Sequence, residues 1–398
     1  MATYPVSTDT PRIAHSQSTQ HIVPDWSVRI PALDGLRGVA ILLVLCRHSV
    51  IGLHSGSQLL NRILAMAMFT GSGVDLFFVL SGFLIGGIQL DARESSRYYS
   101  TFYARRAYRI LPLYYAAAIP FLLRHLAGRF LPGALGGTSP LTVPWWSYLT
   151  FTQNFFMVSS GRGMGAAAML VTWSLAIEEQ FYLLIPVVVR KFRGERLAIA
   201  LVTAIAMVPV LRLVLHFTLP NAGFACFALM PCRVDALCLG VLTAYLVRRP
   251  GFWNGLMEHR KLLWWTTGIL SAGVVFISYP AYDVFSERMT TWGDSWVAFF
   301  YTSCLLVTVS SSTVAWHHAM CKPWLKRLGT LAYCTYLLHF PLIQTARRFF
   351  YVLLPSHPGI AYVTSGVSAV SVTLVLATLS WRYFEQPLLR RGHTYQYF

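Results

Sequence analysis

Charge is scarce in this chain, and acidic charge scarcer still. Only 12% of the 398 residues are charged, and 15 Asp and Glu face 32 Lys and Arg. A soluble domain usually carries about 25% charged residues, so an ordinary water-exposed surface is excluded. The seven cysteines, Cys46, Cys226, Cys232, Cys238, Cys304, Cys321 and Cys334, are odd in number and show neither zinc-site nor redox-pair spacing. No metal is expected, and the cysteines read as small buried apolar residues. No repeat of fixed period and no inverted pair of broken helices is visible, which counts against the common transporter architectures. The first 30 residues hold no apolar core of a cleavable signal and are expected to form a flexible cytoplasmic tail.

Apolar residues, by contrast, make up 55% of the chain. They gather in runs long enough to cross a hydrocarbon core of about 30 Å. The expectation is an all-α integral membrane protein, a single bundle of about ten transmembrane helices within 31–388. The predicted spans are 37–54, 73–90, 108–127, 172–190, 196–218, 226–247, 262–281, 296–317, 329–353 and 360–381. The run 143–158 is short and carries Gln153 and Asn154 at its middle, so it reads as an interfacial or re-entrant piece of a 128–171 extracytoplasmic cap. With the N-terminus inside, the outside loops hold only Arg62, Arg129, Arg162 and Arg288, and the other loop cations fall inside. That asymmetry puts both termini, including a 389–398 C-terminal tail, in the cytoplasm. It also accounts for the net charge of +17 through topology and lipid headgroups, with no nucleic-acid module.

The polar residues inside these spans are the candidates for function, because each is expensive in hydrocarbon. His48 lies eleven residues after Arg37, about 16 Å along a helix and near the expected midplane. His339 lies at matching depth on the ninth span, so the two imidazoles could share one cavity; a hydrogen bond between helices is the alternative. Span four carries Glu178 and Glu179 after Trp173 and Ser174. Neighbours on a helix diverge by about 100°, so one glutamate faces a site and the other pairs with a cation such as Arg212 or Arg233. A carboxylate beside His48 would orient it, as in a catalytic triad. Arg233 and Asp235 on span six read as a local or interhelical ion pair. Asp75 reads as interfacial. Ser81 and Gly82 on span two suit close helix contact or the close approach of a slender ligand. Arg105, Arg106 and Arg109 share neighbouring faces at the start of span three and make a phosphate clamp, because a guanidinium grips phosphate oxygens as a fork.

Taken in order, Leu33-Asp34-Gly35-Leu36-Arg37-Gly38 with His48 eleven on, Phe77 to Phe83, Arg106-Ala107-Tyr108-Arg109 with Pro112, Trp173-Ser174-Leu175 through Glu178-Glu179 to Phe181-Tyr182, Tyr333 to His339 with Tyr336, and Glu385-Gln386-Pro387 resemble the acyltransferase-3 family of integral membrane O-acyltransferases. The resemblance runs from about Leu33 to Pro387 and is to the form without an extracytoplasmic esterase-like domain. It implies transfer of an acyl group, usually acetyl from acetyl-CoA, to a hydroxyl of a glycan, a glycolipid or another acceptor in the bacterial cytoplasmic membrane. It implies His48 as the catalytic residue and the Arg106/Arg109 element as part of the acyl-donor site. The expected arrangement holds the CoA phosphates on Arg105, Arg106 and Arg109, with Arg37 at the channel mouth, and His48 at the thioester as general base or acyl carrier. Glu178 or Glu179 would orient it. The rival from another class is a transporter with a His/Glu/Arg relay. Nothing points to an oligomer.

Overall fold

In the computed structural model, residues 24–26, 28–53, 56–130, 143–159, 167–220, 222–279, 282–310 and 315–398 are described. Residues 1–23 of the expected tail, and 131–142 and 160–166 of the expected cap, lie outside them. Every regular element among the described residues is helical. In chain order the helices are α1 (Pro31–Val50), α2 (Gln58–Ala67), α3 (Gly73–Asp91), α4 (Tyr98–Phe130), α5 (Trp145–Leu149), α6 (Gln153–Ser159), α7 (Thr172–Lys191), α8 (Glu195–Thr218) and α9 (Ala222–Ala228). They continue as α10 (Val234–Val247), α11 (Pro250–Glu258), α12 (Arg260–Ser278), α13 (Asp294–Ser310), α14 (Ala315–Met320), α15 (Pro323–Leu353), α16 (Pro358–Ser380) and α17 (Gln386–Gly392).

Six helical stretches are individually long and apolar enough to cross a membrane: 58–91, 98–127, 172–191, 195–218, 260–278 and 358–392. The protein is a membrane protein. Large apolar side chains such as Leu183 on α7, Ile199 on α8 and Trp265 on α12 face outward, where lipid takes the place of a protein core.

Several boundaries move from expectation. Pro31 opens α1 six residues before Arg37, as proline does at a helix start. His48 therefore stands in the last turn of α1 and not at its middle. The sixth predicted span is broken: α9 ends at Ala228, a short 3₁₀ turn spans Met230–Cys232, and α10 starts at Val234. The run 143–158 is two short helices about a turn at Phe151, whose φ of 54° lies in the left-handed region. Its polar residues close helix ends. Gln153 donates to the Thr172 carbonyl (2.9 Å), Asn154 donates to the Ala228 carbonyl (3.1 Å), and Gln180 of α7 donates to the Phe151 carbonyl (2.8 Å). Five of the cysteines are buried as expected, but Cys46 is exposed and Cys321 half-buried.

Small residues set the central seam. α3 packs along α10, α1 along α15, and α15 along α16. A Cβ on Gly82 would strike the Leu237 carbonyl oxygen, and one on Gly240 would strike the Val79 carbonyl oxygen. In lipid, where helices gain little from apolar burial alone, such backbone approach is a main source of attraction. Backbone cannot yield as a side chain tip can. Gly240→Val is therefore expected to lose about 1–3 kcal/mol of stability, read as a lower unfolding midpoint and a smaller monodisperse fraction after purification.

Both described ends are held against the bundle. The Trp26 ring sits edge-on to Phe83 and Trp253, at 6.1 and 5.5 Å, with the Arg248 guanidinium over it. At the other end, residues 395–398 fold onto the start of α4. Thr101 donates to the Gln396 carbonyl (2.9 Å), Arg105 donates to the Tyr395 carbonyl (2.8 Å), and the Phe398 N–H donates to Ser95 Oγ (3.0 Å).

Candidate active site

Six helices, α1, α3, α4, α7, α15 and α17, and the turn that leads into α17 converge on one cavity of about 120 Å³. A buried water occupies about 10–15 Å³ on the same scale, so this is room for several waters in file or for a slender ligand arm. Arg37 of α1, Arg106 and Arg109 of α4, Ser81 of α3, Glu178 and Tyr182 of α7, and Glu385 after α16 supply its polar wall. Phe77, Phe78, Ile110 and Trp381 supply apolar surface, and Tyr336 of α15 also lines it.

The charges in this wall are not balanced pair by pair. Arg37 has Asp34 at 3.7 Å, and Asp34 is also held by Arg29 at 2.8 Å. Among the described residues, no carboxylate lies within ion-pair distance of Arg106 or Arg109. Arg106 lies over the rings of Phe102 and Tyr182 at 5.9 and 5.5 Å, which orients the guanidinium without neutralising it. Glu178 accepts a hydrogen bond from Ser81 Oγ at 2.8 Å. Two arginines without a carboxylate partner lining one cavity have the chemistry to receive an anion.

The His pair sits beyond Tyr336. Tyr336 shares a 2.6 Å hydrogen bond with Ser174, and its ring centroid is 5.7 Å from that of His339 one turn further along α15. The His339 and His48 centroids are 4.9 Å apart, with Nε2 of His339 3.1 Å from Nδ1 of His48. His48 does not line the arginine cavity, whereas Tyr336 and Phe77 do, with ring centroids 6.2 Å apart.

The structure thus brings together Arg37, Arg106, Arg109, Ser81, Glu178, Ser174 and Tyr336, and joins His48 to His339. It moves the other candidates elsewhere. Arg105 leaves the cavity for the C-terminal segment, where it also stacks on Tyr397 at 5.1 Å. Gly82 faces α10 and serves helix contact, not ligand approach. Glu178 lines the cavity and Glu179 does not. Neither glutamate touches His48, because the side chain against that ring is a second imidazole. Trp173 stacks on Phe227 at 4.1 Å and is structural.

Arg233 and Asp235 do not pair with each other. Asp235 pairs with Arg212 at 2.9 Å, and Arg233 pairs with Asp75 and Asp294. Asp75 is accordingly buried and ion-paired, not interfacial. All five lie within 5% of full burial. The sequence reasoning missed Arg347, which donates to the carbonyls of His48 (3.0 Å) and Ser49 (3.3 Å) and so ties α15 to the end of α1. An arginine inside a predicted span is itself a signal that could have found it.

A family model described as an acyltransferase domain matches residues 30–382, and the chain belongs to this acyltransferase-3 family. Among similar proteins, peptidoglycan O-acetyltransferase OatA of Listeria monocytogenes is 24% identical over 91% of this chain and 56% of its own length. O-acetyltransferase OatA of Staphylococcus aureus is 24% identical over 91% of this chain and 58% of its own. Nodulation protein 10 of Rhizobium leguminosarum is 25% identical over 90% of this chain and 92% of its own. The chain therefore spans a little over half the length of the two O-acetyltransferases. No solved structure matches it.

Proposed function

We propose that this protein transfers an acetyl group, or another short acyl group, from cytoplasmic acyl-CoA to a hydroxyl of a glycan, glycolipid or similar acceptor. The observation that carries the proposal is the cavity wall of Arg37, Arg106 and Arg109, its last two arginines without a carboxylate partner, running to Tyr336 beside the His48–His339 pair. The phosphates of CoA supply the anion that these guanidiniums lack. The pantetheine arm is slender, and in this reading it carries the thioester past Tyr336 toward His48. His48 acts there as general base or as acyl carrier. Glu178, held by Ser81, sits among the arginines rather than at the imidazole, so its part lies in shaping the donor site.

In this proposal ten helices cross the bilayer, α1, α3, α4, α7, α8, α10, α12, α13, α15 and α16, with both termini cytoplasmic, so the arginine mouth opens where acyl-CoA is made. The acceptor class follows the L. monocytogenes relative, whose name specifies peptidoglycan. Family membership favours acyl transfer over the transporter reading, which accounts for buried charge but not for the ordered motifs.

The test is release of free CoA from acetyl-CoA by the purified protein in lipid nanodiscs, with and without a peptidoglycan-derived oligosaccharide. Acceptor-stimulated release is expected. Arg106→Ala is expected to raise KM for acetyl-CoA by about 10- to 100-fold, the worth of one charge-assisted phosphate contact, and to lower kcat much less. An unchanged KM rejects the clamp, and absence of CoA binding by the unaltered protein rejects the donor.

A further inference from the structure

We infer that His339 is a positioning residue that holds the ring of His48 in one tautomer, with the proton on Nδ1 and the free lone pair on Nε2. The inference rests on the acyl-transfer reading for its consequence, but its geometry stands independently. It follows from counting donors and acceptors along one line of hydrogen bonds.

The line starts from the backbone of α15. Nδ1 of His339 lies 2.7 Å from the Tyr336 carbonyl and 3.1 Å from the Thr335 carbonyl. Carbonyl oxygens only accept, so this nitrogen carries the proton. A neutral imidazole has one proton, so Nε2 of His339 is bare and accepts. The atom it faces, at 3.1 Å, is Nδ1 of His48, which also lies 3.1 Å from the Val44 carbonyl. Both neighbours of that nitrogen are acceptors, so it too carries the proton. The lone pair of His48 is thereby left on Nε2, for which the structure shows no hydrogen-bond partner among the described residues.

Burial divides the roles within the pair. His339 has no exposed surface, whereas His48 is partly exposed. Only His48 can meet a ligand, and His339 acts through it. Two further contacts fix the ring's place: Phe340 lies edge-on to it at 5.1 Å, and Arg347 anchors the carbonyl of His48 itself. No carboxylate is needed to orient His48, because the α15 backbone does so through a second imidazole.

The consequence for the reaction is a lone pair aimed ready for use. In the base route, the acceptor O–H gives its proton to His48 Nε2. The oxygen forms the new C–O bond at the thioester carbonyl, the C–S bond breaks, and the proton passes from Nε2 to the CoA sulfur. Throughout, Nδ1–H of His48 donates to the same two acceptors, so neither ring turns when the charge appears and disappears. With the opposite tautomer, Nε2 would present a proton and could not accept one.

Solid-state ¹⁵N NMR of histidine-labelled protein in lipid tests the assignment without any acyl donor. The His48 signals are identified by their loss in His48→Gln. A protonated Nδ1 and bare Nε2 on His48 are expected in the unaltered protein, with this preference weakened in His339→Leu, where the Val44 carbonyl alone remains as acceptor. A proton on Nε2 of His48 in the unaltered protein overturns the inference, whatever the enzyme assay gives. Conversely, the expected tautomer with no acyl transfer by the unaltered protein leaves the positioning intact and sinks the activity.

Kinetics supply the second arm. His339→Leu is expected to lower kcat by about 10²- to 10⁴-fold, with KM for acetyl-CoA within about threefold, since the donor site lies elsewhere. His339→Gln places an amide oxygen where Nε2 accepts, and is expected to keep kcat within about tenfold of the unaltered protein. A purely structural role would tie Gln and Leu together or move KM with kcat, and either result overturns the inference.

Discussion

Replacing His48 with alanine is expected to lower acceptor-dependent CoA release by about 10²- to 10⁴-fold, to the background of spontaneous thioester hydrolysis. Binding of CoA is expected to survive. The separation of these two outcomes comes from the geometry. The arginines proposed to hold the donor line a cavity from which His48 is absent, and Tyr336, which lines it, lies 5.7 Å from His339. The imidazole is held by Val44 and His339, not by any residue of the donor wall. Its removal therefore opens a small gap at the end of α1 without discharging or reshaping the arginine mouth. Turnover measured by thiol release and CoA affinity measured by calorimetry on the same preparation check both halves. Turnover near that of the unaltered protein excludes His48 from the chemistry. Loss of CoA affinity along with turnover shows that the two groups are one site.

The largest stability effect is expected at Arg212. Its guanidinium is fully buried and saturated: it donates to the Cys232 carbonyl (2.7 Å), to Ser295 Oγ (3.0 Å), and to both oxygens of Asp235 (3.0 and 2.9 Å). Asp235 also accepts from Ser295 and from the Ala236 N–H. Arg212→Met leaves a buried carboxylate short of its counter-charge and a carbonyl at the α9–α10 break without a donor. Breaking a buried pair from one side costs about 3–5 kcal/mol. Arg212→Lys is expected to recover part of this, since an ammonium restores the charge but not the fork. The double substitution Arg212→Met with Asp235→Leu is expected to recover most of it, because no isolated charge then remains. Unfolding midpoints in lipid or detergent decide the matter. A single Arg212→Met variant as stable as the unaltered protein means that this network does not hold α8, α10 and α13 together.

These expectations show what composition and spacing can and cannot carry. Long apolar runs fix the helical class, since a chain in hydrocarbon must satisfy its backbone internally, and helices do so with local hydrogen bonds. Local patterning likewise predicted a helix over 73–90, observed at 73–91, and read 143–158 as no span, because Gln153 and Asn154 are too polar to face lipid. The ordered motifs carried the family, because residues that act together must recur in order even when most of the chain has diverged.

What the sequence could not supply was partnership. Glu178 and Glu179 are neighbours with the same chemistry, and helix geometry says only that they diverge. Which one faces the cavity depends on how α7 rotates against α3, where Ser81 meets Glu178. Arg105 and Arg106 divide in the same way, one toward the C-terminal segment and one toward the cavity. Asp75 finds Arg233 from 158 positions away. Depth along the chain already matched His48 with His339, but their contact across 291 positions is made by the packing of α1 on α15. The physical reason is one of range: hydropathy and helical period act over one or two turns and are written locally. Ion pairs and a shared imidazole line are written only where separate helices meet, so the expected carboxylate beside His48 proved to be a second histidine.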